Sequence, residues 1–159
     1  MKITDIEVYI LGGPATEQRP HWVSHFPVPA ANELLVRLHT DNGISGFGLG
    51  SSNASLEQTA AMFANGLSEL IIGADANAPE RLYESIISLS WQGIAAEKGW
   101  SKAQIVLAAA AVDIAAWDLL GKAANTPLYR LFGGYRDAVP CYVTCAYYRE
   151  GKDLDELRE

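Results

Sequence analysis

From residue 3 the chain alternates: Ile6, Val8 and Ile10 are apolar, and Asp5, Glu7 and the amphipathic Tyr9 stand between them. A period of two belongs to a strand with one face buried, so the pattern predicts a strand over Ile3–Leu11. Residues 12–32 break the pattern with four prolines (Pro14, Pro20, Pro27, Pro29), two glycines and no periodicity. They predict a long irregular loop, a length that is uncommon unless the loop has a function. Residues 33–40 and 44–49 read as two further strands joined by Asp41-Asn42-Gly43, because Asn-Gly tolerates the positive φ of a tight hairpin turn. Three successive strands form an antiparallel meander, and one of its faces has to be covered by helices.

The period then becomes helical. Ser55 with Gln58 has capping-box spacing, and Leu56, Ala60, Phe63, Leu67 and Leu70 recur at helical intervals up to Gly73. Asn77 with Glu80 repeats the spacing ahead of Leu82, Ile86 and Leu89, predicting a second helix over 78–91. Ser101 with Gln104 repeats it before a long helix to about Ala124, apolar nearly all round and therefore the central buried one. Thr126-Pro127 places proline at a first helical position and opens a short helix that Gly133-Gly134 closes. Residues 139–146 are a β-branched and aromatic run, followed by a polar turn and a helix that begins at 153–159. A strand followed by a helix is half of a βαβ unit, and its parallel partner is missing. The expectation is an α+β domain over 1–134, a three-stranded antiparallel meander packed on a helical bundle, with the start of a second, truncated domain over 135–159.

Twelve Lys and Arg against nineteen Asp and Glu leave a net charge of -7, which repels phosphate backbones and anionic lipid, so no nucleic acid and no membrane are expected as partners. The apolar run 105–120 is interrupted by Asp113 and Asp118, which favours a buried helix over a membrane span. Cys141 and Cys145 are four apart in an extended run, about 13 Å between Cα atoms and beyond disulfide reach. They read as buried thiols in a reducing compartment. Met1-Lys2-Ile3-Thr4-Asp5 has no basic segment leading into an apolar stretch, so the expected location is the cytoplasm.

Several motifs weaken when weighed. Gly46-Phe47-Gly48-Leu49-Gly50 lacks the last glycine of a dinucleotide fingerprint, having Ser51 there, and it ends a hairpin. Glycines that let the backbone approach a neighbour closely fit better. His21 and His25 are four apart, but the surrounding prolines make the segment a loop without a third ligand, against a zinc site. His21, Trp22, His25 and Phe26 cluster polar tips and aromatic faces on a long loop, which either contacts substrate or packs its aromatics on the domain surface. Asp113 and Asp118 lie roughly 140° apart around a helix and cannot act on one atom. Each reads as a satisfied buried acid that ties the helix to backbone or to a further domain. Neither cysteine has a helix N-terminus or a His partner, and there is no nucleophile elbow.

The stretch AAAAVDIAAWDLLGKAANTPLYRLFGG, residues 108–134, resembles the signature that ends the N-terminal domain of mandelate racemase and muconate lactonising enzymes, in the enolase superfamily. KITDIEVYIL, LLVRLHTDNGISGFG and VPCYVTCA occupy the order that family shows. One departure is that such hairpins often end Gly-x-Gly-Glu, whereas Leu49 follows Gly48 here, which leaves the subgroup open. The resemblance implies a capping domain that closes over the mouth of a (β/α) barrel, with 139–146 as the barrel's first strand. It also implies proton abstraction α to a carboxylate, with the enediolate held by Mg2+. The family's base and metal ligands lie on later barrel strands. A barrel needs about 250 residues, so no catalytic or metal-binding residue carries over, and the Mg2+ ligands are expected outside this chain. What carries over is substrate contact from the loop with His21, Trp22, His25 and Phe26, from the turn Ser51, Ser52 and Asn53, and from the strand end near Tyr147.

These readings make the chain the cap of a Mg2+-dependent racemase, epimerase, cycloisomerase or acid-sugar dehydratase. Its expected partners are a small carboxylate substrate and the missing barrel segment or another copy of the chain, as a homo-oligomer. Alone, 139–146 would be an exposed apolar edge that seeks such a partner. The alternative is a non-catalytic binding or assembly module that retains only the cap fold.

Overall fold

The computed structural model describes residues 1–12, 21–23, 26–28, 32–51, 55–143, 148–149, 153 and 155, with backbone alone for 21–23, 26–28 and 148–149. The chain divides into two compact units, Met1–Leu11 with Glu33–Tyr135, and Gly12–Asn32 with Arg136–Glu159.

In the first unit β1 (Ile3–Leu11), β4 (Glu33–Thr40) and β5 (Ser45–Gly50) form an antiparallel sheet in the order β1-β4-β5. The register runs from Ile3 opposite Thr40 to Leu11 opposite Glu33, with an irregularity between Ile3 and Asp5. On the other side of β4 it runs from Leu34 opposite Gly50 to His39 opposite Ser45. Strand alternation sends Leu34, Val36 and Leu38 inward, where all three are fully buried, each contributing roughly 1.5–3 kcal/mol. The β4–β5 turn forms at the expected place, with Gly43 at φ 82°. The Thr40 hydroxyl donates to the Ile44 carbonyl at 2.7 Å, which holds Ile44 in the turn and starts β5 one residue later than the pattern predicts.

Helices cover the inner face. The predicted first helix is broken into α1 (Leu56–Met62) and α2 (Ser68–Ile71) by a wide turn in which Gly66 takes φ 117°. The freed Asn65 carbonyl accepts a hydrogen bond from Lys98 Nζ at 2.7 Å. Phe63 and Leu67 both stay buried across the break, which is why the period shows no sign of it. The second helix is α3 (Pro79–Ile87), continued by a 3-10 turn over Ser88–Trp91. Its predicted Asn77 cap is not formed, because Asn77 instead bonds to Asp75 and Pro79 opens the helix behind Ala78. A short α4 (Gly93–Glu97) follows, which no apolar period announces.

α5 (Lys102–Ala123) is the central helix. It is long and apolar enough to cross a membrane, yet 56% of its most apolar stretch is buried inside the protein, as befits a core helix. The Ser101–Gln104 capping box is complete, with Gln104 N–H donating to Ser101 Oγ at 3.3 Å and Ser101 N–H donating to Gln104 Oε1 at 2.8 Å. Gln104 Nε2 also donates to Gln58 Oε1 at 2.7 Å, joining the first turns of α5 and α1. The last helix, α6 (Leu128–Leu131), has Pro127 as its N-cap, one position before the predicted one, and ends at Gly133 and Gly134, both at positive φ.

In the second unit residues 12–32 are not wholly irregular. β2 (His21–Val23) and β3 (Phe26–Val28) pair antiparallel, and β6 (Tyr148–Arg149) pairs with the other side of β2, in the order β3-β2-β6. Pro27 is compatible with this because β3 is an edge strand, where a residue without an N–H leaves no ladder bond unmade. Residues 139–143, predicted as the start of a strand, carry no regular secondary structure. Tyr142 and Val143 are 90% and 82% exposed. Cys141 is likewise an exposed free thiol and not a buried one, since no sheet among the described residues covers this segment. Cys145 and residues 144–147 lie outside the described residues.

Candidate functional site

The expected contact residues fall on two places. His21 and Trp22 lie on β2 and Phe26 on β3 of the small sheet, while His25 and Tyr147 lie outside the described residues. Beside Tyr147, β6 sets Tyr148 opposite Trp22 and Arg149 opposite His21. The proline-rich loop and the segment after 139–146 are therefore hydrogen-bonded neighbours. Arg149 escaped the sequence reading: a two-residue strand has no period, and its partner is far upstream.

Ser51 belongs to the first unit. It is exposed at the end of β5, beside a groove of about 530 Å3 that Leu49, Lys102, Val106 and Ala110 also line. Ser52 and Asn53 lie outside the described residues.

Three glycines fix how β5 presents Ser51. A Cβ on Gly46, Gly48 or Gly50 would stand 2.2 Å from the Ala115 carbonyl oxygen, 1.9 Å from that of Ala111 and 2.7 Å from Leu107 Cδ1. The alternate glycines of β5 thus let α5 lie directly on the strand, the close approach that the sequence suggests for Gly46-Phe47-Gly48-Leu49-Gly50. Asp118 locks this seam by accepting from the Phe47 N–H at 2.9 Å and pairing with Lys122, whose Nζ also donates to the Ser45 carbonyl at 2.8 Å. The carboxylate does tie helix to backbone, but it is partly exposed and not buried. The Phe47 ring has Lys122 Nζ at 4.7 Å and Arg37 Cζ at 5.3 Å from its centre.

Asp113 points elsewhere, bonded by the Trp117 side chain. Burial holds its carboxyl above the usual range, and the nearby Glu80 charge adds to the effect. On the outer sheet face the Tyr9 hydroxyl donates to Glu7 at 2.8 Å, with Arg37 at 3.4 Å from the same oxygen. These contacts, Tyr9 first and then His39, hold the Glu7 carboxyl below its usual range, and Glu7 in turn raises the Tyr9 phenol. His39 Nε2 stands 3.4 Å from Glu7, a long contact that leaves the ring nitrogen without a well-aligned hydrogen bond.

Among the described residues no three His, Cys, Asp or Glu side chains converge on a point where a metal ion could sit. Asp113, Asp118 and Glu7 are each engaged at a separate place, so a Mg2+ site does not fit them. What the first unit offers is a packed platform, its sheet seated closely on α5, with Ser51 exposed at the end of β5.

The sequence profile of the mandelate racemase / muconate lactonizing enzyme N-terminal domain matches residues 5–133. A D-galactonate dehydratase family member from Oceanicola granulosus is 30% identical over 161 residues, covering 100% of this chain and 33% of that protein. An arabinonate dehydratase from Saccharolobus solfataricus is 29% identical over 130 residues, covering 79% of this chain and 32% of its own length. Among solved structures, a mandelate racemase/muconate lactonizing enzyme superposes with a TM-score of 0.78 at 30% identity, over 94% of this chain and 39% of that one. A dipeptide epimerase from Enterococcus faecalis, solved with Mg and L-Leu-L-Tyr, does so with a TM-score of 0.67 at 26% identity, over 85% and 35%. The chain spans about a third of the length of these relatives. With the profile covering most of its length and the sheet, helices and signature helix all in place, the chain belongs to the mandelate racemase / muconate lactonizing enzyme family, as its N-terminal capping domain.

Proposed function

We propose that this domain caps a Mg2+-dependent enzyme that removes the proton α to a carboxylate, and that the reaction is the dehydration of an acid sugar. The observation that carries the reading is the β2–β6 pairing, which fastens the hairpin bearing His21 and Trp22 to the chain beyond the capping domain. A specificity loop needs such an anchor, because contacts to the distal part of a substrate discriminate only when they are held in place. An arabinonate dehydratase, a D-mannonate dehydratase and a D-galactonate dehydratase family member among the relatives favour dehydration over racemisation.

In this reading Mg2+, bound by residues outside this chain, would stabilise the enediolate. This chain's own part is to enclose the substrate and keep water out. The surroundings of His21, Trp22, His25, Phe26, Ser51, Ser52, Asn53 and Tyr147 are assigned to substrate contact, and the reaction to the cytoplasm.

The test is a Mg2+-dependent assay of the natural full-length product on a panel of aldonic and aldaric acids, reading the 2-keto product. Dehydration of at least one acid, abolished by EDTA, is the expected result. No turnover, together with no exchange of the α-proton in D2O, would leave the binding or assembly module as the function.

A further inference from the structure

The helices cover one face of the large sheet and leave the other open. Strand alternation puts Tyr9, Leu11, Leu35, Phe47 and Leu49 on the open face, where Tyr9, Leu11, Phe47 and Leu49 are 43–45% exposed. The register sets Tyr9, Leu35 and Leu49 in one row across β1, β4 and β5. The next row is Glu7, Arg37 and Phe47, followed by Asp5, His39 and Ser45, while Glu33 opposite Leu11 ends the face on the other side. In these two charged rows β1 presents acids and β4 presents bases. Arg37 and Glu7 touch at 3.4 Å and remain 37% and 35% exposed. Arg37 Nε is a buried nitrogen with no hydrogen-bond partner among the described residues, so the guanidinium has bonds still to make. The solvated face of an antiparallel sheet is ordinarily polar, and an apolar patch rimmed by charged residues marks a protein interaction surface.

The edge of the sheet offers no such contact. The Asp118 carboxylate accepts from the Phe47 N–H and Lys122 Nζ donates to the Ser45 carbonyl, so α5 occupies the edge groups that an added strand would need at these positions. The open face, by contrast, is complementary to itself. A two-fold axis over the face, parallel to the strands and between β1 and β4, lays each row on the same row of a second copy with the two strands exchanged. Glu7 then meets the partner's Arg37 and Tyr9 meets the partner's Leu35, while Phe47 and Leu49 lie beside the partner's first strand. An axis over β4 itself would set Arg37 on Arg37, a like-charge contact that disfavours it. We propose that this face, with Glu7, Tyr9, Leu35, Arg37 and Leu49 at its centre, is an interface between two copies of the chain, packed sheet on sheet about that axis. No part of this interface depends on which reaction the enzyme performs.

The test is sedimentation equilibrium of the chain and its charge-reversed variants. The wild-type chain is expected to dimerise. Glu7→Arg and Arg37→Glu each set like charges against each other across the interface, twice per dimer, and each alone should weaken association at least about tenfold. Mixed in equal amounts the two variants should recover a dimer, because one copy then carries two bases where the other carries two acids and both contacts become attractive. Mixing repairs no contact within a chain, so recovery separates the interface from folding. Leu49→Lys puts a charge into the apolar row without touching the Glu7–Arg37 pair, should likewise weaken association, and decides the matter if the charge-reversed chains do not fold. A wild-type chain that stays monomeric, a dimer indifferent to Leu49→Lys, or a mixture of folded variants no more dimeric than its components would overturn the interface.

Discussion

Gly48 is the position where a single atom matters most. A methyl group there has the Ala111 carbonyl in its place, backbone against backbone, so neither side can yield by a rotamer change. Gly48→Ala is therefore expected to cost about 3 kcal/mol or more, at the upper end of overpacking penalties, read as a lower urea midpoint. A loss under about 1 kcal/mol would mean that α5 can lift off the strand. Asp113 makes a different prediction. Burial raises its folded-state carboxyl, so between the ordinary carboxylate range and that raised value the folded protein holds more protons than the unfolded one. Stability then falls as pH rises through this window, and the penalty is complete above it. Asp113→Asn keeps an acceptor for Trp117 and removes the charge. It should stabilise the protein at neutral pH and change little near about pH 3, where both states are protonated. An equal gain at both pH values would rule out burial as the cause. Of these two residues the sequence made the glycine legible, because its triplet ended a hairpin. The environment of Asp113 was not legible, because Glu80 comes to it from another helix.

Capping separates the elements that local sequence determines from those it does not. The same Ser/Asn-x-x-Gln/Glu spacing occurs three times, and the outcomes differ. At α5 both hydrogen bonds form. At α1 the Gln58 N–H donates to Ser55 Oγ, but the Gln58 side chain is taken by Gln104. At α3 the cap gives way to Pro79 and to the Asn77–Asp75 turn. Ser101→Ala should cost about 1 kcal/mol, as for a lost N-cap. Gln104→Ala should cost more, since it removes both its half of the box and the bond to Gln58. Denaturation midpoints of the two variants check the order, and the reverse order would show that the Gln58 bond contributes nothing. Helix boundaries and the break at Gly66 escaped the pattern for one reason. Apolar period reports which face is buried, and a wide turn that keeps Phe63 and Leu67 buried leaves that face unchanged.

At the scale of the molecule, the large sheet and its helices were legible because each strand is long enough to show a period. The small sheet lacked that advantage. Its strands are two or three residues long, and β6 meets β2 from the far end of the chain. The loop's prolines obscured the hairpin, although Pro27 sits where an edge strand admits it. Family signature and apolar period therefore identify the platform. The pairing of His21 with Arg149 required the register itself.

The seam of Gly46, Gly48 and Gly50 under α5 bears on how such a cap can be re-engineered. The strand that carries Ser51 is held in place by missing atoms, so nearly any replacement along its inner side pushes the helix away. A randomised library aimed at new substrates should spare those three codons and spread its diversity over residues 12–32 and 51–54. Variants found there inherit an intact scaffold, whereas hits on β5 would be selected for tolerating damage.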